Sequence, residues 1–201
     1  MPLLLPQLRP DQARIVNHPA KIKIVNMGRR WGKTVTAGST ALACASQRAA
    51  VAWIVPTYKN ARPVWRFAQQ MIRPVYNEVR VSQSERVIEF PGGGWLGVYT
   101  ADNPVGILGE AFDVVVCEEA ARFDEPVWNE TILPTLADRD GRALLISTPR
   151  GMNWYFTEYQ NGVDDGKFQA SFTAPTSANP NANIQAAFNR VKQLADIGRY
   201  S

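Results

Sequence analysis

Apolar and polar positions along the chain fall into short blocks that switch between strand-like and helical spacing. Lys21–Met27 reads as a strand running into a Gly/Arg turn, and Lys33–Gln47 then carries small and apolar residues at helical intervals. Val51–Val55 is a second buried strand stopped by Pro56. Ala61–Tyr76 has a helical pattern, with Pro63 expected in its first turn and Pro74 expected to end or kink it. Between Arg86 and Thr100, two apolar stretches flank Pro91-Gly92-Gly93-Gly94, which predicts a β-hairpin. Asp113–Cys117 holds three consecutive valines bounded by charge, a run suited to a central strand covered on both faces. Pro126–Ala137 is a helix candidate, Arg142–Ser147 a further strand, Met152–Gln160 a short helix and Phe168–Phe172 a last strand. Residues 174–183 shift to Pro, Ser, Asn and Ala, a linker signature, before Ile184–Gly198 resumes helical spacing. Repeated strand–helix alternation predicts an α/β fold: a mostly parallel central sheet with helices on both faces, binding ligands beyond the carboxyl ends of its strands.

Composition narrows the class. A chain of 201 residues, 45% hydrophobic and 20% charged, has the make-up of one folded domain with a small appendage rather than a disordered or fibrous chain. Its longest apolar run, Ala49–Val55, is far short of the roughly 20 residues that span a bilayer. Met1–Pro6 lacks the basic lead of a signal peptide, so the expectation is no membrane and a cytoplasmic location. Only Cys44 and Cys117 are present, neither near a histidine at ligand spacing, which argues against disulfide and zinc scaffolds and for two reduced core thiols. The charge is uneven: residues 1–100 hold 14 basic and 4 acidic side chains, net +10, whereas residues 101–201 hold 8 and 14, net −6. Sixteen of the 22 basic residues are arginine, the side chain best shaped for phosphate. That pattern fits either a polyanionic partner or a solvated basic face.

The chemistry concentrates in three places. Gly28-Arg29-Arg30-Trp31-Gly32-Lys33-Thr34 lies between a strand and a helix, as a phosphate loop does. Glycines let backbone N–H groups turn toward phosphate oxygens, the helix N-terminus adds positive potential, Lys33 would reach the β and γ phosphates, and the Thr34 hydroxyl would bind Mg²⁺. The usual G-x-x-x-x-G-K-[ST] pattern wants glycine at position 27, where this chain has Met27. Such a loop needs carboxylates, one for the metal and one for the attacking water. Glu118 and Glu119, at the exit of the valine strand, would supply them, Glu118 facing the metal and Glu119 the water. Ser147 and Thr148 end the Arg142–Ser147 strand at the same edge, placed to sense the γ-phosphate and relay its loss.

Together these segments resemble the ATPase domain of the large terminase subunit, the DNA-packaging motor of tailed bacteriophages. Leu8-Arg9-Pro10-Asp11-Gln12 is similar to its adenine-reading segment, Gly28–Thr34 to its variant phosphate loop, and Trp53–Tyr58 to its second-strand motif. Val114–Ala121 is similar to its acidic strand and Ile146–Gly151 to its coupling motif. The resemblance implies a RecA-like P-loop fold and Mg²⁺-dependent ATP hydrolysis powering translocation of double-stranded DNA into a procapsid. It also implies portal protein and small terminase subunit as partners, a homo-oligomeric ring, and a place in the host cytoplasm and transiently at the portal. By position it implies nucleotide contacts from Gln12, Gly28, Arg29, Arg30, Trp31, Gly32, Lys33 and Thr34, with metal held by Thr34 and Glu118. Catalysis would fall to Glu119, Lys33 and Arg29, the last acting on the γ-phosphate within its own subunit, and coupling to Ser147 and Thr148.

Two departures stand out. Relatives usually carry aspartate where this chain has Glu118, and Leu-Arg-Gly where it has Ile107-Leu108-Gly109. A trans-acting arginine is therefore expected from elsewhere, with Arg122, Arg139 and Arg142 as candidates. Residues 1–173 are expected to form the ATPase domain and 174–201 a linker and the start of a lid, with no nuclease domain in this chain. His18 is expected to be an ordinary surface or cap residue, and Trp65, Trp128 and Trp154 core. Competing readings are a helicase-like DNA-dependent ATPase, which would need a second RecA-like domain, and a non-catalytic nucleotide- or nucleic-acid-binding module.

Overall fold

A computed structural model of the chain describes residues 3–196. Among them, eight strands form one sheet: β1 (Ile22–Met27), β2 (Ala50–Val55), β3 (Arg80–Ser82), β4 (Val87–Glu89), β5 (Trp95–Thr100), β6 (Val114–Glu118), β7 (Arg142–Ser147) and β8 (Gln169–Ala174), in the spatial order β3-β4-β5-β2-β6-β7-β1-β8. Every pairing from β5 to β8 is parallel, and only β3–β4 and β4–β5 are antiparallel. The helices are α1 (Pro10–Val16), α2 (Lys33–Ser46), α3 (Tyr58–Ile72), α4 (Trp154–Asp165) and α5 (Ala182–Asp196). The expected mostly parallel sheet and the central place of the valine strand are both present.

Alternation along the strands builds two cores. Val25, Val51, Trp53, Val55, Val116, Leu144 and Ile146 point to one face and pack under α2 and α3. Ile24, Ala52, Ile54, Val115, Cys117 and Leu145 point to the other and pack under Phe112, Trp128, Ile132 and Tyr155. Each such apolar side chain, withdrawn from water, contributes on the order of 1.5–3 kcal/mol. This is why β2 and the first four residues of β6 read as continuous apolar runs. Because the strands run parallel, the residues that follow β1, β6 and β7 emerge together at one edge.

Several local expectations needed correction. Helix α3 begins at Tyr58, so Pro63 lies in its interior rather than in its first turn; burial of Ala61, Val64, Trp65 and Ala68 outweighs the missing N–H. Pro74 falls where expected, in a 3₁₀ turn (Arg73–Glu78) that ends the helix. The span expected as a helix at Pro126–Ala137 is a π turn (Val127–Ile132) followed by a 3₁₀ turn (Leu133–Leu136), because Pro134 cannot donate to a carbonyl one turn back. Helix α1 and strand β3 were not anticipated, being too short for periodicity to register. The stretch read as a linker is strapped to the phosphate-loop region. Residues 197 and 198, the end of the expected Ile184–Gly198 helix, lie outside the described residues. Among the described residues both cysteines are free, Trp65 and Trp128 are buried and Trp154 is half-buried against the second core, and no helix is long and apolar enough to cross a membrane. His18 is half-buried, its Nδ1 accepting from the Ala20 N–H at 3.2 Å.

Candidate nucleotide site

The Gly/Arg turn that follows β1 opens directly into α2, and Gly32 at the helix N-cap has φ 104°, a left-handed conformation that glycine adopts without penalty. Gly28 serves a different need. A Cβ there would overlap the Thr176 backbone nitrogen and lie 3.0 Å from the Pro175 carbonyl carbon. The segment after β8 passes that closely because the Gly28 N–H donates to the Ala174 carbonyl at 2.9 Å and the buried Asn179 amide donates to the Arg30 carbonyl. Met27, at the position where the usual pattern wants glycine, is a core side chain, 2% exposed. The displaced glycine is thus a packing requirement of the strap, and the loop keeps its shape without glycine at 27.

The loop floors a cleft of about 630 Å³ lined by Arg29, Arg30, Gly32, Lys33, Thr34 and Val35 on one side and by Glu119, Arg122, Thr148, Pro149 and Arg150 on the other. The buried Lys33 ammonium donates to the carbonyls of Met27 (3.1 Å) and Gly28 (3.0 Å). Burial lowers its pKa from the ordinary lysine value, Arg29 adds to that, and the Glu119 and Glu118 charges oppose it. Across the floor, the Thr34 hydroxyl donates to Glu118 Oε1, while the Trp53 indole N–H donates to Glu118 Oε2 at 3.0 Å. Burial raises the Glu118 pKa and these two donors work against it. The Glu118 side chain, two methylenes long, reaches the threonine from the end of β6. Trp53 belongs to the site because it pairs with Val116 across β2 and β6, putting it on the same sheet face as Glu118.

Glu119 sits immediately beyond β6 with φ 54° and ψ 41°. A non-glycine residue in this region costs about 1–3 kcal/mol and is held by its surroundings. Those surroundings come from the β7 end: Ser147 Oγ accepts from the Ala121 N–H (3.3 Å), Asn153 Nδ2 donates to the Ala121 carbonyl (2.9 Å), and the Trp154 indole donates to the Phe123 carbonyl (2.7 Å). Ser147 is fully buried and braces the acidic turn, whereas Thr148 lines the cleft. The two hydroxyls expected to act alike occupy different places.

The structure brings Arg29, Arg30, Gly32, Lys33, Thr34, Glu119 and Thr148 together and sets Glu118 beneath Thr34. Gln12 and Trp31 lie behind the loop. Gln12 is buried, its Oε1 accepting from the Arg9 N–H at 2.9 Å, with its amide nitrogen under Gly32. Trp31 is buried with the Arg9 guanidinium 5.0 Å from its ring centroid. Of the arginines considered for a trans role, Arg122 lines this cleft, while Arg139 pairs with Asp113 and Arg142 donates to the Pro19 carbonyl at the opposite edge of the sheet. Leu108 is 59% exposed. Arg150, also in the cleft, was missed by sequence reasoning; its position just after the β7 hydroxyls was the available signal.

A hydroxyl and a carboxylate joined at the cleft floor form an all-oxygen donor pair. That set fits a hard divalent cation such as Mg²⁺, which takes one or two protein oxygens and completes its shell with phosphates and water.

Fold and site together define a RecA-like α/β domain with a cationic cleft and adjoining carboxylates at the carboxyl edge of its sheet. Comparison places it further: the model for the family described as terminase large subunit, T4likevirus-type, N-terminal, matches residues 24–196, and the chain belongs to that family. The large terminase subunit of Thermus phage G20c is 28% identical across 79% of this chain, and that of Escherichia phage T5 is 29% identical across 56%. The chain spans 37% and 26% of those relatives' lengths. Among solved structures, the large terminase ATPase domain of Thermus phage P74-26 superposes with TM-score 0.74 at 25% identity, covering 92% of this chain and 86% of that one. The HK97 large terminase matches in fold with TM-score 0.75 at 14% identity, covering 96% and 47%. A large terminase from a thermophilic bacteriophage, solved in complex with ADP, matches in fold with TM-score 0.68 at 17% identity, covering 90% and 49%.

Proposed function

We propose that this chain binds and hydrolyses ATP and that hydrolysis powers movement of double-stranded DNA into a viral procapsid. The supporting observation is the convergence of Lys33 and Thr34 with Glu118 and Glu119 on one floor, Thr34 and Glu118 in direct hydrogen bond. Residues 1–173 act as the ATPase domain and 174–201 lead into a lid. The protein works as a ring with portal protein and small terminase subunit, in the host cytoplasm and at the portal.

Residue by residue, the loop N–H groups and Lys33 hold the triphosphate at the N-terminus of α2. Thr34 and Glu118 would hold Mg²⁺, which when bound supplies positive charge to the phosphate oxygens. Glu119 accepts a proton from the water that attacks the γ-phosphorus, and its constrained backbone fixes the direction of that carboxylate. Arg29, exposed on the loop, sets its guanidinium against charge developing on the transferred phosphoryl group. Thr148 contacts the γ-phosphate side of the cleft, and Ser147 carries any shift of β7 to the Ala121 backbone next to Glu119.

The test is steady-state phosphate release with Mg²⁺, paired with nucleotide binding. Lys33→Ala is expected to abolish ATP binding, and Glu119→Gln to keep binding while turnover falls by about 10²–10⁴-fold. Equal ATP affinity in wild type and Lys33→Ala, or unchanged turnover in Glu119→Gln, overturns the assignment.

A further inference from the structure

We infer that the outer face of α3, built on Lys59, Arg62 and Arg66, is a surface that grips the phosphate backbone of duplex DNA. The inference rests on the reading of the chain as a DNA motor and locates where the polyanion lies. Along α3, Lys59, Arg62 and Arg66 fall within about 60° of one another at ~100° per residue, spread over ~10 Å of axis. That span matches about three phosphate steps of one DNA strand at ~3.4 Å each. All three side chains are exposed, and α3 contains no acidic residue. Among the described residues none of the three lies within salt-bridge distance of a carboxylate, whereas Arg80, Arg139 and Lys21 each do. The same face begins at Tyr58, 67% exposed, with the Arg86 guanidinium stacked 4.2 Å from its ring centroid. This cluster belongs to the half of the chain with net charge +10. A cationic helical face without internal counter-charges is complementary to phosphate.

The adjoining side of the same helix reaches the carboxylates. Asn60, Pro63 and Val64 line a pocket of about 100 Å³ together with Thr34, Glu118 and Glu119. Pro63, which has no N–H, leaves the Lys59 carbonyl without its helical partner. One helix therefore touches the proposed catalytic floor on one side and presents three exposed cations on the adjoining one. DNA seated on the outer face bears on the element that walls the water-activating carboxylate.

The experiment measures binding of a 30-base-pair duplex by fluorescence anisotropy across a salt series, with ATP turnover measured with and without DNA. Lys59→Ala/Arg62→Ala/Arg66→Ala is expected to weaken binding at least tenfold. It should flatten the log–log salt dependence by ~0.9 per lost phosphate contact and abolish any stimulation of turnover by DNA while leaving DNA-free turnover intact. Lys59→Arg/Arg62→Lys/Arg66→Lys, which keeps the charge, is expected to retain binding, and Lys167→Ala/Arg190→Ala/Lys192→Ala, which removes equal charge elsewhere, to bind like wild type. Wild-type binding with unchanged affinity and salt slope in the α3 variant overturns this inference alone and leaves the face to an acidic protein surface. Equal weakening by the control variant also overturns it, since charge anywhere would then suffice. Absence of duplex binding by the wild-type chain at low salt overturns both the inference and the motor reading beneath it.

Discussion

Replacing Gly28 by alanine tests why the glycine of the phosphate loop is displaced by one residue. The new Cβ would overlap the Thr176 backbone nitrogen, with Thr176 Oγ1 at 2.6 Å and the Pro175 carbonyl carbon at 3.0 Å. Two of these are backbone atoms, so no rotamer change relieves the clash, and the strap at 175–179 must retreat by about 1 Å to reach ordinary contact. Gly28 does not have positive φ, so the cost is steric rather than conformational. Overpacking of this kind costs about 1–3 kcal/mol, and weakening the Gly28–Ala174 or Asn179–Arg30 hydrogen bond adds about 1 kcal/mol. For a chain of this size each kcal/mol lowers Tm by about 2–4 °C, which gives a drop of about 5–15 °C. Thermal unfolding followed by circular dichroism reads this directly. Gly28→Ala/Thr176→Gly is expected not to rescue stability, because the backbone nitrogen stays in place. Met27→Gly, which restores the common sequence pattern, is expected to destabilise by about 2–5 kcal/mol through loss of a buried side chain. A Gly28→Ala protein that melts within about 1 °C of wild type would refute the packing account.

Trp53→Phe removes the N–H that Glu118 Oε2 accepts and is expected to cost about 1.5–3 kcal/mol in urea unfolding, since the acceptor is a buried carboxylate; a loss below about 0.5 kcal/mol would show that this bond does not hold the acid in place. Asn153→Ala removes both the N-cap of α4, where its Oδ1 accepts from the Phe156 N–H, and the brace on Ala121. A loss of about 1–2 kcal/mol with reduced turnover is expected, and unchanged turnover would disconnect the brace from Glu119. Burial lowers the Lys23 pKa to about 8, with Arg142 adding to the effect. Between pH 8 and 10.5 the unfolded chain therefore binds more protons at this residue, so the native state gains stability as pH rises through that window and bears its full cost below pH 8. Lys23→Met removes that dependence: its stability relative to wild type is expected to be highest at about pH 7 and to decline toward about pH 10.5, and parallel curves for the two proteins would refute it. Arg29→Ala is expected to lower kcat much more than nucleotide affinity, and an unchanged kcat would remove this side chain from the reaction.

The strands at Val51–Val55, Asp113–Cys117 and Arg142–Ser147 were legible because parallel strands buried on both faces need nearly unbroken apolar runs, and Lys21–Met27 because its β-branched residues run straight into a Gly/Arg turn. Gly28–Thr34 and Glu118-Glu119 were legible as a candidate site for a related reason: phosphate binding and water activation restrict residue type as well as order. The sequence by itself determined that these segments share one sheet edge, since parallel strands deliver all their carboxyl ends to the same side. It could not show that Trp53 donates to Glu118, that Ser147 braces the acidic turn while Thr148 lines the cleft, or that the 174–183 segment lies across Gly28. Nor could it show that Arg122 and Arg150 face the cleft while Arg142 lies at the other edge. Each of those depends on register between strands distant in sequence and on the path of a connecting segment, and only the packed sheet fixes both.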